Sequence, residues 1–423
     1  MNKKIGNIIF IFLLFCNNVS TNAQQNSIRE SLSKIPGIKT EQLYNVHFKE
    51  YFEIHVTQPV DHFNPFSKTF SQRVYFGFNS PDSATVMDTD GYENQYAARP
   101  DYENELAALL HANLIVVEHR FCGESVPDSL NYDFLTLRQA AEDDHSIKLL
   151  FETILKNKWI STGISKGGQA ALAYKYYYPQ DVSATVLYGT AVKKSLNENK
   201  VDSMLNVLAQ TACGKQLEAF QLAAFKNKAA LLPILKEYAI TNHLSFTKFE
   251  LETCLNYMLL ELPFSFWQEG NTCKLIPPVD VDAKTCFNYI VHVVPPRFFS
   301  DINLKRLEPA FYLSYHELGY YEYNTKKFKP YLKQSNYSNK NFVPENVKVD
   351  FNPVYLNAIN KFLQTNNAKS IVFIYGEFDP WSSMQQVYKA NKVIVSSGSH
   401  KSRIKDLDDA EKNTTIRLIR ALL

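Results

Sequence analysis

Alternating or continuous apolar segments occur in the first and last parts of the chain and predict β-strands there. The alternation is clearest from Tyr51 to Val56, inside a strand-like stretch of about residues 41–61. Runs with helical spacing of apolar residues, such as 137–156, lie between these segments. Strands that alternate with helices predict an α/β fold with a mostly parallel sheet. The other predicted strands are 72–78, 83–87, 113–118, 183–188, 369–375 and 391–395, and the other predicted helices are 101–111, 169–176 and 408–422.

The pattern changes between about residues 196 and 342, where alternation is rare and helix-type runs are long. We interpret this block as a helical cap inserted into the sheet domain. The expected domains are therefore a leader at 1–23, the first part of the sheet domain at 24–195, the cap at 196–342 and the second part of the sheet domain at 343–423. Ligands of such sheets bind at the carboxyl ends of the strands, so we expect the chemistry there.

The N-terminus has the composition of a secretory signal peptide. Lys3 and Lys4 precede an apolar run at 5–15, and small residues lead to Ala23, after which we expect cleavage. A secreted or periplasmic location follows. Lipid attachment at Cys16 is the weaker alternative, because the bulky Phe15 precedes it. No later run is long and apolar enough to predict a membrane span.

Charge narrows the range of partners. The chain carries 45 Lys and Arg against 43 Asp and Glu, a formal net charge of +2. Since Lys3 and Lys4 lie in the leader, the remainder is close to neutral, and nucleic acid is not an expected partner. Nor does the sequence predict an obligate protein partner.

Five cysteines follow the leader, and four of them cluster between residues 213 and 286. In an exported protein this cluster predicts two disulfides, whose pairing stays open. A metal site is the weaker alternative, because the spacings contain no Cys-x-x-Cys. Cys122 stands alone in the first half. The clustered residues are Cys213, Cys254, Cys273 and Cys286.

The stretch from Trp159 to Gly168 contains Gly163, Ser165 and Gly167 in the order Gly-x-Ser-x-Gly. A short apolar run enters it and a helix-forming run leaves it. This context is typical of the nucleophile elbow of α/β-hydrolases, a sharp turn that lifts a serine hydroxyl clear of the sheet. An ordinary glycine-rich turn is the alternative.

A nucleophilic serine needs a base, and the base needs an acid that fixes its tautomer. Asp379 and His400 each follow a predicted apolar strand, and the order Ser165, Asp379, His400 is the order of α/β-hydrolases. We therefore predict that these three residues form a catalytic triad. Taken singly, Asp379 before Pro380 could cap a turn, and His400 could be a surface-loop histidine.

Two backbone amides are expected to receive the oxyanion. One is the N–H of Lys166, at the start of the helix that follows the serine, and the other lies near Gly91. An ordinary Asp-Gly turn is the alternative for Gly91. Glu118 ends a predicted buried strand, where a structural ion pair is the favoured interpretation and substrate contact the alternative.

Several motifs resemble one known family. The segments 163–168, 118–125 and 317–319 look similar to the secreted bacterial PS-10 peptidases, and 58–63 and 379–382 are also similar to the related prolylcarboxypeptidase group. Lys166 after the serine separates the two, because prolylcarboxypeptidase relatives typically carry tyrosine there. The resemblance implies an α/β-hydrolase fold, the triad named above and a serine peptidase of the tripeptidyl aminopeptidase type, without cofactor or metal.

An aminopeptidase must bind the free ammonium group of its peptide substrate, which calls for a carboxylate near the serine. Glu317 and Glu118 are the candidates from sequence, with ordinary salt bridges as the alternative for each. Three other functions stay open. They are an esterase or lipase, a prolyl-type carboxypeptidase or dipeptidyl peptidase, and a non-catalytic binding protein.

Overall fold

A computed structural model describes residues 27–196, 198–334 and 336–423. The expected signal peptide at 1–23, with its cleavage site and Cys16, lies outside the described residues. Among the residues described, no helix has the length and apolar character needed to cross a bilayer.

Nine strands form one sheet in the order β1-β2-β3-β5-β4-β6-β7-β8-β9. The first three strands and the β3–β5 pair are antiparallel, whereas every pair from β5 to β9 is parallel. The prediction of a mostly parallel sheet is confirmed. The strands are β1 (Ile38–Leu43), β2 (Glu50–Pro59), β3 (Thr69–Phe78), β4 (Thr85–Thr89), β5 (Asn113–Val117), β6 (Trp159–Ile164), β7 (Ala184–Tyr188), β8 (Ile371–Gly376) and β9 (Asn391–Val395).

Helices cover the sheet and fill the long connection between β7 and β8. The helices outside that connection are α1 (Ile28–Ser33), α2 (Glu105–Leu110), α3 (Leu137–Phe151), α4 (Lys166–Tyr177) and α12 (Asp409–Ala421). Those within it are α5 (Lys200–Leu208), α6 (Ala212–Lys226), α7 (Lys228–Thr241), α8 (Leu251–Gln268), α9 (Ala283–Val293), α10 (Asp301–Leu313) and α11 (Val354–Phe362). The cap boundaries at 196 and 342 stay a prediction.

Burial explains why the central strands form where they do. All residues of β5, β7 and β8 are buried, as expected for parallel strands that are covered on both faces. The sheet order, the parallel central strands and the strand–turn–helix at residues 159–177 make this an α/β-hydrolase fold.

The cysteine prediction was partly wrong. One disulfide, Cys213–Cys273, joins the start of α6 to the loop after α8. Cys254 on α8 and Cys286 on α9 are buried free thiols in the apolar core of the helical segment. They pack there as small hydrophobic residues, a common role of free cysteine, so no second disulfide forms among the described residues. Cys122 is also buried and free.

Candidate active site

Ser165 occupies a strained turn between β6 and α4. Its backbone has φ 56° and ψ −115°, a region that non-glycine residues rarely adopt and that is typical of functional sites. A Cβ on Gly163 would lie 2.3 Å from the carbonyl carbon of Gly167, and one on Gly167 would lie 2.4 Å from the Thr89 oxygen. The turn can therefore close only with glycine at these two positions, as the Gly-x-Ser-x-Gly pattern predicts.

Asp379 and His400 are in direct contact. His400 Nδ1 lies 2.7 Å from Asp379 Oδ2, and the Asp379 side chain is fully buried while that of His400 is 12% exposed. The other carboxylate oxygen, Asp379 Oδ1, accepts the backbone N–H of Trp381 at 3.0 Å and caps a short 3₁₀ helix. One oxygen thus caps the turn, and the other holds the imidazole.

The strand pairing brings this pair next to Ser165. The Ser165 N–H donates to the Tyr188 carbonyl at the end of β7. A Cβ on the following residue, Gly189, would lie 2.7 Å from the His400 ring and 3.3 Å from Asp379 Oδ2. The imidazole therefore lies against the backbone beside the elbow. Ser165 Oγ makes no hydrogen bond with a described residue, which fits resting sites whose catalytic contacts tighten only when substrate binds.

The predicted oxyanion donors differ in their surroundings. Lys166 is the first residue of α4, so its N–H has no partner within the helix. Gly91 packs against the elbow, because a Cβ there would lie 2.4 Å from Lys166 Cβ. However, the Gly91 N–H donates to Asp90 Oδ1 at 2.7 Å, and Tyr92 N–H donates to the same oxygen. Lys166 N–H is thus the available donor, whereas that of Gly91 would first have to leave Asp90.

Ser165 opens into a cavity of about 1020 Å³ between the sheet edge and the helices of the long connection. This volume is at the upper end of small-molecule sites, about 300–1,000 Å³, and leaves room for a peptide. Lys166 also lines the cavity, its ammonium donates to Ser314 Oγ at 2.6 Å, and burial lowers the pKa of this ammonium to about 7. Its wall includes the aromatic side chains Phe264, Phe311, Tyr320, Tyr321 and Trp381.

Glu118 does not line this cavity. Its side chain is fully buried and lies 2.5 Å from Arg73 Nη2, and it also accepts Ser125 Oγ and the backbone N–H of Asn94. Both carboxylate oxygens of Glu118 therefore already accept hydrogen bonds from protein groups around β5. The position of Glu118 fits the structural ion pair and gives no support to contact with substrate.

Glu317 is also absent from the cavity wall. It lies in a single π-helical turn, Ser314–Leu318, and its Oε2 accepts the N–H of Leu137 at 2.8 Å. The carboxylate therefore binds the first turn of α3, where a negative charge is favourable. Its position does not support the role in ammonium binding that the sequence suggested.

Two residues of α8 that sequence reasoning missed do lie at the cavity. Glu261 is buried, and burial raises the pKa of its carboxyl to about 7. Gln268 receives the His400 N–H on its carbonyl at 3.0 Å and the Trp381 Nε1–H on Oε1 at 3.3 Å. The signal for Glu261 was in the sequence, since it is the lone acid in the apolar run 258–264.

Among the described residues, Glu53, His55 and Glu124 have metal-ligand spacing. None of the three lines the cavity, and Glu124 already pairs with Arg73.

Two known peptidases are similar to this chain in sequence. Prolyl tri/tetrapeptidyl aminopeptidase of Streptomyces mobaraensis is 26% identical over 368 residues, which cover 86% of this chain and 76% of that protein. Human lysosomal Pro-X carboxypeptidase is 32% identical over 151 residues, covering 32% of this chain and 30% of that protein.

Structural similarity to solved proteins is weak. Proline iminopeptidase of Mycobacterium smegmatis gives a TM-score of 0.42 at 12% identity, covering 87% of this chain and 98% of that one, and a score of this size carries no argument. The sequence match is much stronger, because the model of the PS-10 peptidase S37 family covers residues 21–402. The chain belongs to the PS-10 peptidase S37 family and is a serine peptidase.

Proposed function

We propose that this serine peptidase is an exported exopeptidase that releases short N-terminal peptides, chiefly tripeptides, from substrates with a free N-terminus. The observation that carries the proposal is the Asp379–His400 pair, seated against the strand end beside the strained Ser165. The tri/tetrapeptidyl activity in the name of the Streptomyces mobaraensis relative supports the exopeptidase part. Export is supported by the leader-like composition of residues 1–23.

The reaction proceeds through an acyl-enzyme. Ser165 Oγ attacks the scissile carbonyl carbon while His400 Nε2 takes the hydroxyl proton, and Asp379 holds Nδ1 and stabilises the imidazolium. The oxyanion accepts the Lys166 N–H. His400 then protonates the leaving amine as the peptide bond breaks. Water, deprotonated by His400, attacks the ester, and the N-terminal fragment leaves with Ser165 regenerated.

We further propose that proline is favoured next to the cleaved bond. The name of the Streptomyces mobaraensis relative contains this preference. In the present chain Trp381, two residues from Asp379, packs on Phe264 at 5.3 Å and on Tyr320 at 5.4 Å, and all three line the cavity. Flat aromatic walls suit a rigid apolar ring.

The test is hydrolysis of a mixed peptide pool, with the products identified by mass spectrometry. Wild-type protein should release tripeptides from free N-termini, and Ser165→Ala should lower kcat about a millionfold. Retained activity in Ser165→Ala would exclude the serine mechanism. Products cut from internal bonds would exclude the exopeptidase, and a pool of single amino acids would exclude the tripeptidyl assignment.

A further inference from the structure

Glu261 is a buried acid without a cationic partner. Its side chain lines the cavity that contains Ser165, yet the residue is only 6% exposed. Oε2 accepts the Tyr321 hydroxyl at 2.6 Å and Oε1 accepts Ser265 Oγ at 2.9 Å. No described Lys, Arg or His forms an ion pair with it. An ionised carboxylate carries about four acceptor positions, so two neutral donors leave lone pairs unused.

The surroundings of Glu261 offer no charge to balance it. The titratable groups that face it are Tyr320, Tyr321 and Tyr323, and burial raises the pKa of each phenol, so all three are neutral at pH 7. A carboxylate in such a place is costly unless a cation arrives. A positive group that arrives from within the cavity would balance the charge of the ionised carboxylate.

The aromatic wall favours an ammonium group as that cation. Phe264 and Tyr321 stack at 4.0 Å beside Glu261, and Trp381 meets the Tyr321 ring edge-on at 5.6 Å. Aromatic faces attract ammonium ions, most strongly where water is excluded. A peptide N-terminus supplies one positive charge and three N–H donors, and its apolar side chains would pack on the same rings.

The other acids of the cavity are already engaged. Glu269 pairs with Lys401 at 2.8 Å, and Glu93 pairs with Arg306 at 2.5 Å. Asp90 also has no cation among the described residues, but it accepts three donors, namely the backbone N–H of Gly91, that of Tyr92 and the Tyr96 hydroxyl, against two at Glu261. Asp90 also lies against the elbow, where an ammonium would leave no room for residues ahead of the cleaved bond.

We propose that Glu261 binds the α-ammonium group of the substrate and so restricts cleavage to peptides with a free N-terminus. This inference rests on the proposed function, since it assigns the residue that binds the N-terminal end of the substrate. Glu261 replaces Glu317 and Glu118 as the candidate for ammonium binding, because those two carboxylates contact other parts of the protein.

The experiment compares a free tripeptidyl-p-nitroanilide with its N-acetyl form. Wild-type protein should favour the free form by about a hundredfold in kcat/KM, a value in the range of charge-assisted hydrogen bonds. Glu261→Gln should lose most of this ratio through a higher KM for the free form, with the acetylated form unchanged. Glu261→Asp, which keeps the charge, should retain part of it. Glu269→Gln is the matched control from the same cavity and should keep the wild-type ratio.

Labelling of Ser165 by a fluorophosphonate separates the possible failures. Glu261→Gln should label at the wild-type rate, which shows a folded and reactive triad. An unchanged ratio in labelled Glu261→Gln, or loss of the ratio in Asp90→Asn instead, would overturn the role of Glu261. Equal cleavage of the free and the N-acetyl substrate by wild-type protein would also overturn the role of Glu261, but it would leave the serine mechanism unaffected. Absence of labelling at Ser165 in wild-type protein would instead refute the proposed function.

Discussion

Buried carboxylates occur in two regions of this molecule and differ in what neutralises them. Around β5, Glu118 pairs with Arg73 and Asp143 pairs with Arg120, whose side chain is fully buried. In the cavity beneath α8, Glu261 has only hydroxyl partners. All three acids are buried, so the difference lies in the missing cation. A complete pair is explained by structure alone, whereas a buried acid that lines a large cavity without a cation leaves its charge for a ligand to balance.

The largest expected effect concerns Asp379, which both caps a turn and contacts His400. Asp379→Asn should leave the turn capped, because an amide oxygen still accepts the Trp381 N–H, but it removes the charge that fixes the His400 tautomer. We expect kcat to fall about 10³–10⁴-fold with KM nearly unchanged. Steady-state kinetics on the free tripeptidyl substrate measure this. A loss below tenfold would mean that Asp379 is only a turn former.

The next largest expected difference is in the free energy of unfolding, between variants of Glu118 near β5 and of Glu261 in the cavity. Glu118→Gln leaves the Arg73 guanidinium buried without its anion and should lower the free energy of unfolding by about 3–5 kcal/mol. Glu261→Gln removes no ion pair and takes away a carboxyl whose pKa burial raises, so it should not lower the free energy of unfolding at pH 7 and should raise it. Urea denaturation at pH 7 compares them. Glu124→Gln is the matched control, since it removes a 57%-exposed acid from the same Arg73 and should cost about 0–1 kcal/mol. Equal losses in Glu118→Gln and Glu261→Gln would remove the distinction.

The preference for a free over an acetylated N-terminus should depend on pH through the titration of Glu261. Burial raises the pKa of Glu261 to about 7, so the carboxyl is protonated and neutral below that pH. The kcat/KM ratio of free to acetylated substrate should therefore fall about tenfold per pH unit below 7. It should fall again above about pH 8, where the peptide amine loses its proton. In Glu261→Gln the ratio should be flat below pH 7, and the same slope in both proteins would contradict the assignment.

The smallest effect concerns the contact between α8 and the triad loops. Gln268→Ala removes the hydrogen bond from Trp381 Nε1 but keeps the backbone contact to the His400 N–H. We expect kcat to fall about threefold to tenfold, as for one hydrogen bond of about 0.5–1.5 kcal/mol. The exposed Gln210→Ala should match wild type in the same assay. A larger change in KM than in kcat would indicate direct contact with substrate instead.

Local patterns were sufficient to predict most of the sheet, but the one strand-like stretch expected at 41–61 is the end of β1, a break and then β2. Strand β9 was expected at 391–395 and occupies Asn391–Val395, because an apolar run flanked by polar residues needs no tertiary information. Helix α3 begins at Leu137 as expected but ends at Phe151 rather than residue 156, since a turn follows in which Leu155 N–H bonds back to the Phe151 carbonyl. Such ends depend on local capping and packing, which periodicity does not report.

Candidate site residues on the sheet were easier to predict than the candidate on the helical segment. Ser165, Asp379 and His400 follow strands, so the fold itself predicts that they meet at one edge. Glu261 lies on a helix with apolar residues on all sides, and only tertiary packing decides whether it faces a cavity. The prediction of a second disulfide was wrong for the same reason, because Cys254 and Cys286 belong to the helical core.

The central claim is that Ser165, activated by His400, is the nucleophile. The most direct measurement is intact-protein mass spectrometry after treatment with a fluorophosphonate, followed by peptide mapping. We predict one adduct, on Ser165, absent from Ser165→Ala and formed at least about a thousandfold more slowly in His400→Ala. An adduct on another serine, or equally fast labelling without the imidazole, would contradict the account.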